Sequence, residues 1–243
     1  MSDVEIRVEN ISKRFKGVVA LDDVSVQFNN GNLYGLIGPA GAGKTTLFRI
    51  MLDLMRANTG AVFYRENGRN IAFQNIAEHI AYMPQSQSLY ADLSVAEHLD
   101  FFRKLYGIND VDFARKKDEL VHLARLGDFL DRPAGKLSGG MYKKLGLICA
   151  LLRSPQIMLL DEPTNGVDPI SRREFWDLLH ASVARGILVL MSTAYMDEAE
   201  RCSGVVLMEK GRVLAAGEPE VLLQKYNSRN FDELFVQRGG KAQ

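Results

Sequence analysis

Eight consecutive residues, Gly38, Pro39, Ala40, Gly41, Ala42, Gly43, Lys44 and Thr45, have the types and spacing of a loop that holds phosphate. They fit the pattern G-x-x-x-x-G-K-[ST], whose glycines let backbone N–H groups turn inward while the following helix adds the partial positive charge of its N-terminus. In that chemistry Lys44 meets the β- and γ-phosphates of a nucleotide, the Thr45 hydroxyl meets a Mg2+ ion, and Thr46 carries the segment into the helix. The flanks suit it: Leu33-Tyr34-Gly35-Leu36-Ile37 reads as a short buried strand, and Thr46 to Leu52 as a helix. Further along, Leu159-Leu160-Asp161-Glu162 is an apolar strand ending in an acidic pair. A rigid strand end can hold Asp161 against the water shell of a metal, and Glu162 beside it is suited to orient or deprotonate an attacking water. Alone, that pair would serve equally as a helix cap; downstream of a phosphate loop the catalytic reading leads. A third segment, Leu137-Ser138-Gly139-Gly140, stands just before a helical stretch and offers another anion site from N–H groups, helix dipole and hydroxyl. By itself Ser-Gly-Gly fits a plain loop as well.

These segments need elements to place them. Alternation at Val24, Val26 and Phe28 before Asn29-Asn30-Gly31 predicts an antiparallel hairpin leading into the phosphate-loop strand. Further strands are expected at 61–64, before the Asn67-Gly68 turn, and at 80–83, before Pro84. Ser94-Val95-Ala96-Glu97 has the form of a capping box, and Val95, Leu99, Phe102 and Tyr106 trace a helical face after it. A second amphipathic helix is expected through Leu120, Leu123 and Leu126, stopping at Gly127. The runs at 157–160 and 187–191 are continuously apolar, the pattern of parallel strands buried on both faces. Asp168-Pro169 starts a helix with proline at its first position, and the segments around Lys210-Gly211 predict a closing hairpin. The outline is an α/β nucleotide-binding core interrupted by a mostly helical insert near residues 86–154, without internal repeats.

With 243 residues, 47% hydrophobic and 25% charged, the chain is long enough to bury a sizeable core and ordinary for a globular protein. Thirty basic and thirty acidic residues cancel, so no global field draws it to nucleic acid or anionic lipid. Cys149 and Cys202 lack metal-ligand spacing and read as buried free thiols in apolar helical contexts. The N-terminus has no signal-peptide pattern, and the most apolar segment, 145–152, is far short of a bilayer span.

The order and spacing of the three motifs resemble those of the ATPase subunit of an ATP-binding-cassette (ABC) transporter over roughly residues 4–220. The resemblance implies a P-loop NTPase core built from 1–85 and 155–220, a mixed and largely parallel sheet with helices on both faces. It adds an antiparallel β subdomain, a helical subdomain over 86–154 that carries the 138–140 segment, and a short C-terminal helix or tail over 221–243. It further implies ATP and Mg2+ as cofactors, with Thr45, Gln85 and Asp161 at the metal and Glu162, Gln85 and Lys44 in catalysis. Phe15 matches the aromatic residue that stacks on adenine, a contact worth on the order of 1–3 kcal/mol; a half-buried loop aromatic is the alternative there. Gln85 matches the glutamine that touches Mg2+ and the attacking water and couples to a membrane subunit, where plain loop polarity is the alternative. Residues 165–168 match the segment that crosses between partners. Two cassettes meet head to tail, each ATP lying between one chain's phosphate loop and the other's Ser138, Gly139 and Gly140. Integral membrane permease subunits convert that cycle into transport, with the cassettes peripheral on the cytoplasmic face of the cell membrane.

Three positions depart from the family pattern. Ala40 stands where asparagine is frequent, and Met141 where glutamine is usual; neither is expected to matter much. Ala194, in Ser192-Thr193-Ala194-Tyr195, stands where a histidine reaches the γ-phosphate. Loss of one donor to developing negative charge predicts hydrolysis slower by about 10²–10³-fold. His79, His98, His122 and His180 lie outside every motif and are expected on helix surfaces or in loops. Ala194 with the sequence 168–176 resembles the first cassette of bacterial exporters that fuse two cassettes, which would make 238–243 a linker. The leading expectation is the motor subunit of an exporter of drugs, lipids or polysaccharides, supported by the absence of room for an importer's regulatory domain. The alternative is a non-transport cassette acting on ribosomes or nucleic acid, although no long coiled-coil insertion separates the motifs and direct nucleic-acid binding is not expected. A kinase or GTPase has no use for residues 137–140.

Overall fold

The computed structural model describes residues 3–86 and 88–239. Along them run β1 (Val4–Phe15), β2 (Val18–Asn29), β3 (Leu33–Ile37), α1 (Lys44–Met51), β4 (Thr59–Glu66), β5 (Arg69–Ile71), α2 (Phe73–Ile76), β6 (Ile80–Met83), α3 (Val95–Leu105), α4 (Asp110–Ala124), α5 (Gly139–Leu151), β7 (Ile157–Asp161), α6 (Pro169–Ala184), β8 (Leu188–Thr193), β9 (Gly204–Glu209), β10 (Arg212–Gly217), α7 (Pro219–Lys225) and α8 (Phe231–Gly239). They form two sheets, one ordered β10-β9-β3-β8-β7-β6 and the other β2-β1-β4-β5. The larger is parallel from β9 to β6, with β10 antiparallel at its edge. The smaller is antiparallel throughout.

The continuous apolar runs are explained by two cores, one on each face of the parallel sheet. Met158 and Leu160 of β7, Val189 and Met191 of β8, and Val205 and Leu207 of β9 join the helices α3 to α6. Their neighbours Ile157, Leu159, Leu188, Leu190, Val206 and Met208 join α1 and the antiparallel sheet. A period-2 strand with both faces covered has no position at which to place a polar residue cheaply, which is why these runs show no alternation. The α/β architecture therefore has a parallel nucleotide-fold sheet, an antiparallel sheet and a helical layer.

Local signals in the sequence appear as built structure. Ser94 Oγ accepts the Glu97 N–H (3.2 Å) while Glu97 Oε2 accepts the Ser94 N–H (2.7 Å), a complete capping box at the start of α3. Asp168 caps α6 by accepting the N–H groups of Ile170 (3.1 Å) and Ser171 (2.9 Å). The hairpin expected around Asn29-Asn30-Gly31 is not formed there: β2 pairs with β1, turning at 16–17, and β3 crosses into the other sheet.

Four further expectations are corrected. The second helix of the insert ends at Ala124, because Arg125 adopts a left-handed backbone (φ 54°) and closes it, and Leu126 is buried beyond the end. His98 is not on a surface: it is 0% exposed, with Nδ1 against Ser94 O (2.9 Å) and Nε2 accepting the Tyr90 N–H (3.0 Å). Cys202 is buried but lies after a short 3-10 turn rather than in an α-helix. The C-terminal stretch holds two helices, α7 and α8, and the latter seats Phe231 and Leu234 in the core. Residues 240–243 of the expected linker lie outside the described residues. No helix among the described residues is long and apolar enough to cross a membrane.

Candidate functional site

The loop between β3 and α1 is braced from three directions. Gly38 N–H donates to Thr193 O at the end of β8 (3.1 Å), Gly211 N–H in the β9–β10 turn donates to Ala42 O (3.1 Å), and Asp22 N–H on β2 donates to Gly211 O (2.9 Å). Gly43, the residue before α1, has φ 102°, and a Cβ there would fall 2.5 Å from Ala20 O and 2.8 Å from Leu21 Cδ2. Glycine is thus demanded twice, by dihedral and by space. Lys44 opens the helix with 4% exposure, its Nζ donating to Gly38 O (2.6 Å) and Pro39 O (3.1 Å) and pairing with Glu162 Oε1 at 3.2 Å.

A cleft of about 530 Å³ opens over this loop. It gathers Phe15, Ala40, Gly41, Ala42, Gly43, Lys44, Thr45, Thr46, Gln85 and Glu162, and adds Val18, Val19, Ala20, Asn165 and Ala194. Phe15 is 44% exposed at the tip of the β1–β2 hairpin, with Lys13 Nζ 5.2 Å over its ring, and Val18 and Val19 are exposed beside it. That rim is an apolar, cation-backed platform for a flat heterocycle. Gly38 and Pro39 take part through the carbonyls that hold Lys44, and Asp161 is fully buried behind Glu162. Ser138, Gly139 and Gly140 do not line the cleft. Ser138 caps α5, its hydroxyl accepting the Met141 N–H (3.2 Å), while Gly139 and Gly140 lie against Gly166 and Ser171.

The acidic pair is held from β8. Ser192 Oγ donates to Asp161 Oδ1 (2.6 Å) and accepts the Glu162 N–H (2.9 Å), which also reaches Ser192 O (3.1 Å). Glu162 sits at φ 47°, an uncommon conformation for a residue with a side chain. Its Oε2 accepts from Asn165 Nδ2 (3.4 Å), and Asn165 Oδ1 accepts from the Tyr195 hydroxyl (3.4 Å). Asp161 Oδ2 is buried without a hydrogen-bond partner among the described residues. Such an oxygen has the chemistry that a hard cation takes, as do the Thr45 hydroxyl and the Gln85 amide oxygen, whose residues line the cleft. Mg2+ is commonly held by one or two carboxylates together with substrate phosphates and water. The field around the pair is marked on its neighbours. Burial pulls the Lys143 ammonium down, partly offset by Asp161 and Glu162, and its Nζ donates to Gln85 O (3.3 Å). Burial and then the Asp161 charge push the Tyr82 hydroxyl up, against Arg49.

Sequence reasoning passed over Val18, Val19 and Ser192 as site residues, and gave Asn165 only to the segment that crosses between partners. Ser192 had a signal, a hydroxyl at the end of an otherwise apolar buried run. Val18 and Val19 had one too, two aliphatic residues three and four positions after Phe15 at a turn. Asn165 acts through contacts with Glu162 and Tyr195 that no local pattern encodes.

Comparison with known proteins agrees with this fold. The model of the ABC transporter family matches residues 21–165. The chain is 41% identical over 239 residues to the probable multidrug ABC transporter ATP-binding protein YbhF of Escherichia coli K12, covering 95% of this chain and 40% of that protein. It is 34% identical to the Nod factor export ATP-binding protein I of Sinorhizobium fredii, covering 96% of this chain and 68% of that one. The chain therefore spans well under half the length of the first of these relatives. Among solved structures, an ATP-binding subunit of an ABC transporter superposes with a TM-score of 0.83 at 29% identity, covering 96% of this chain and 99% of that one. The ADP conformation of MJ1267, an ATP-binding cassette of an ABC transporter, does so with 0.80 at 25% identity, covering 98% and 99%. A family model across more than half of the chain, a relative above 30% identity across nearly all of it and the two-sheet fold agree: the chain belongs to the ABC transporter family, among its ATP-binding ATPase proteins.

Proposed function

We propose that this chain is the ATP-hydrolysing motor of an ABC export system, working with a second cassette and with integral membrane permease subunits. The convergence of an aromatic platform, a phosphate loop and an acidic strand end on one cleft carries the reading. In it the base stacks on Phe15 beside Val18 and Val19, and the backbone of 38–46 with Lys44 holds the phosphates. Thr45, Gln85 and Asp161 hold Mg2+, which when bound supplies charge neutralisation at the phosphates. Glu162 orients the attacking water or takes its proton. Since Lys44 pairs with Glu162 at 3.2 Å, a γ-phosphate that competes for Lys44 releases the Glu162 carboxylate toward water. The position of 138–140 away from the cleft suits a role in a partner's site. The core of 1–85 and 155–220, the helical subdomain 86–154 and the stretch 221–243 are the corresponding working units. Export is favoured by what the relatives are named for, multidrug transport and Nod factor export.

Ala194 lines the cleft and its side chain has no polar atom to offer the γ-phosphate, so hydrolysis by two identical copies is slow, about 10²–10³-fold below a histidine-bearing cassette. Turnover of the full chain and of Ala194→His tests this. The variant is expected to gain at least about tenfold in kcat, and equal rates or a fast wild type would overturn it. Co-purification from native membranes tests the partners: permease subunits are expected, and ribosomes in their place would favour a non-transport role.

A further inference from the structure

We infer that Ser192 is a positioning residue for both acidic groups, an inference that rests on the reading of Asp161 as metal ligand and Glu162 as base. In the parallel pairing of β7 with β8, Asp161 stands opposite Ser192, so the two side chains share one face of the sheet. A hydroxyl has one proton and two lone pairs. Here the proton goes to Asp161 Oδ1 at 2.6 Å, a short charge-assisted bond, and a lone pair takes the Glu162 N–H at 2.9 Å. One buried atom therefore ties together two neighbouring acidic residues with different tasks.

Two consequences follow. The bond fixes the Asp161 carboxylate and occupies Oδ1, leaving Oδ2, buried and without a hydrogen-bond partner among the described residues, as the oxygen available to a cation. The second bond, beside the one that the same N–H makes to Ser192 O at 3.1 Å, helps to hold the backbone of Glu162 at φ 47°, a conformation that persists only where surroundings over-determine it. A serine that merely satisfied itself in the core would resemble Ser182, whose hydroxyl bonds to Leu178 O one turn back in its own helix. Ser192 instead reaches across strands to a carboxylate and to the next residue's backbone.

The test uses the full chain with Mn2+ as the metal probe, titrated by electron paramagnetic resonance in the presence of a non-hydrolysable ATP analogue. Outer partners of metal ligands typically set affinity and activity by 10–100-fold. Ser192→Ala is expected to weaken Mn2+ binding about tenfold and to lower kcat by a similar factor, and metal-free analogue affinity should stay within about twofold. Ser192→Thr, which keeps the hydroxyl, should restore both. Wild-type Mn2+ affinity in Ser192→Ala overturns the inference. Should that variant not fold, Ser192→Thr and Ser192→Val, which differ in the hydroxyl alone, carry the same comparison, and equal affinity in the two overturns it. Failure of the underlying reading looks different: wild-type Mn2+ affinity in Asp161→Asn would sink the reading of Asp161 as metal ligand, and Glu162→Gln with undiminished hydrolysis would sink that of Glu162 as base.

Discussion

Gly140 sits where packing forbids a side chain before any ligand is considered. A Cβ there would lie within 3.0 Å of both Cβ and Oγ of Ser171, and 3.3 Å from Val167 Cγ1. Ser171 Cβ is fixed by its own backbone, so no rotamer change relieves the contact, and α5 would have to move from α6. One residue earlier, a Cβ on Gly139 would meet Gly166 O alone, at 3.5 Å, an ordinary contact. Alanine gains up to about 1 kcal/mol of helix propensity over glycine, which the clash must exceed. Gly140→Ala is therefore expected to lower stability by about 1–2 kcal/mol net, read as a shift of the urea midpoint, while Gly139→Ala stays within about 0.5 kcal/mol. Adding Ser171→Gly to Gly140→Ala should recover about 1 kcal/mol. Strict additivity of the two changes would show that the contact is not the cause. A glycine quoted for an anion site thus has a structural reason of its own, and a loss of ATPase activity in Gly140→Ala needs this stability measurement beside it.

Between elements, the ion pair that fixes α5 on α6 is Lys144 Nζ to Glu174 Oε2 at 2.6 Å, with Arg125 at the end of α4 holding Glu174 Oε1 at 2.9 Å. Three helices of the insert and core meet on one mostly buried carboxylate. The bond from Lys144, then the charges of Lys144 and Arg125, hold the Glu174 carboxyl below its ordinary value, against desolvation. A depressed carboxylate contributes stability above its unfolded pKa, near 4.5, and loses it as pH falls through the folded value. Glu174→Gln leaves Lys144 buried without its partner and is expected to cost about 3 kcal/mol at pH 7. The gap to wild type should be unchanged between pH 7 and 5 and close progressively as pH drops below about 4.5, so urea midpoints of the two proteins should converge only over a series taken from pH 4.5 downward. A constant gap would remove the charge from the account. None of this was visible in the sequence, because residues 125, 144 and 174 become neighbours only through helix packing. What was legible was local or periodic: the capping box at Ser94 and Glu97, the proline start at Pro169, and the uninterrupted runs of β7 and β8. The end of α4 was not, since Arg125 carries no glycine or asparagine signal for its left-handed turn. His98 escaped for a similar reason, since its contacts with the Tyr90 N–H and ring come from a loop residue that no helical pattern points to. At the site, the glycine loop and acidic strand announced themselves, whereas Ser192 draws its importance from a residue on the next strand.

For the molecule as a whole, the two cores on either face of the parallel sheet hold three acidic protons tightly, and this sets its behaviour in alkali. Cys149 and Cys202 lie in the helical core and Tyr64 in the core under the antiparallel sheet. Burial raises all three: the Cys149 thiol strongly, the Cys202 thiol to about 12 with Glu198 assisting, and the Tyr64 hydroxyl, which donates to Met51 O, strongly with Asp53 assisting. A raised folded pKa contributes stability that is fully present below the unfolded pKa and is lost as pH rises, because the unfolded chain then releases a proton the folded one keeps. The loss should begin near pH 9, where unfolded thiols ionise, deepen past pH 10 as Tyr64 joins, and continue toward the Cys202 value of about 12. With both thiols ionised only in the unfolded chain, the slope is about 2.7 kcal/mol per pH unit, a large share of the total for a domain. Urea midpoints from pH 8 to 11 should fall steeply from pH 9, and the Cys149→Ala, Cys202→Ala double variant should start from a lower stability but lose most of that slope. Thiolate is the reactive form, so a disulfide reagent at pH 8 should modify neither cysteine of the folded chain except at the rate of unfolding. Rapid labelling without denaturant would show that the helical core opens at Cys149 or Cys202, and the alkaline slope would then have to come from elsewhere.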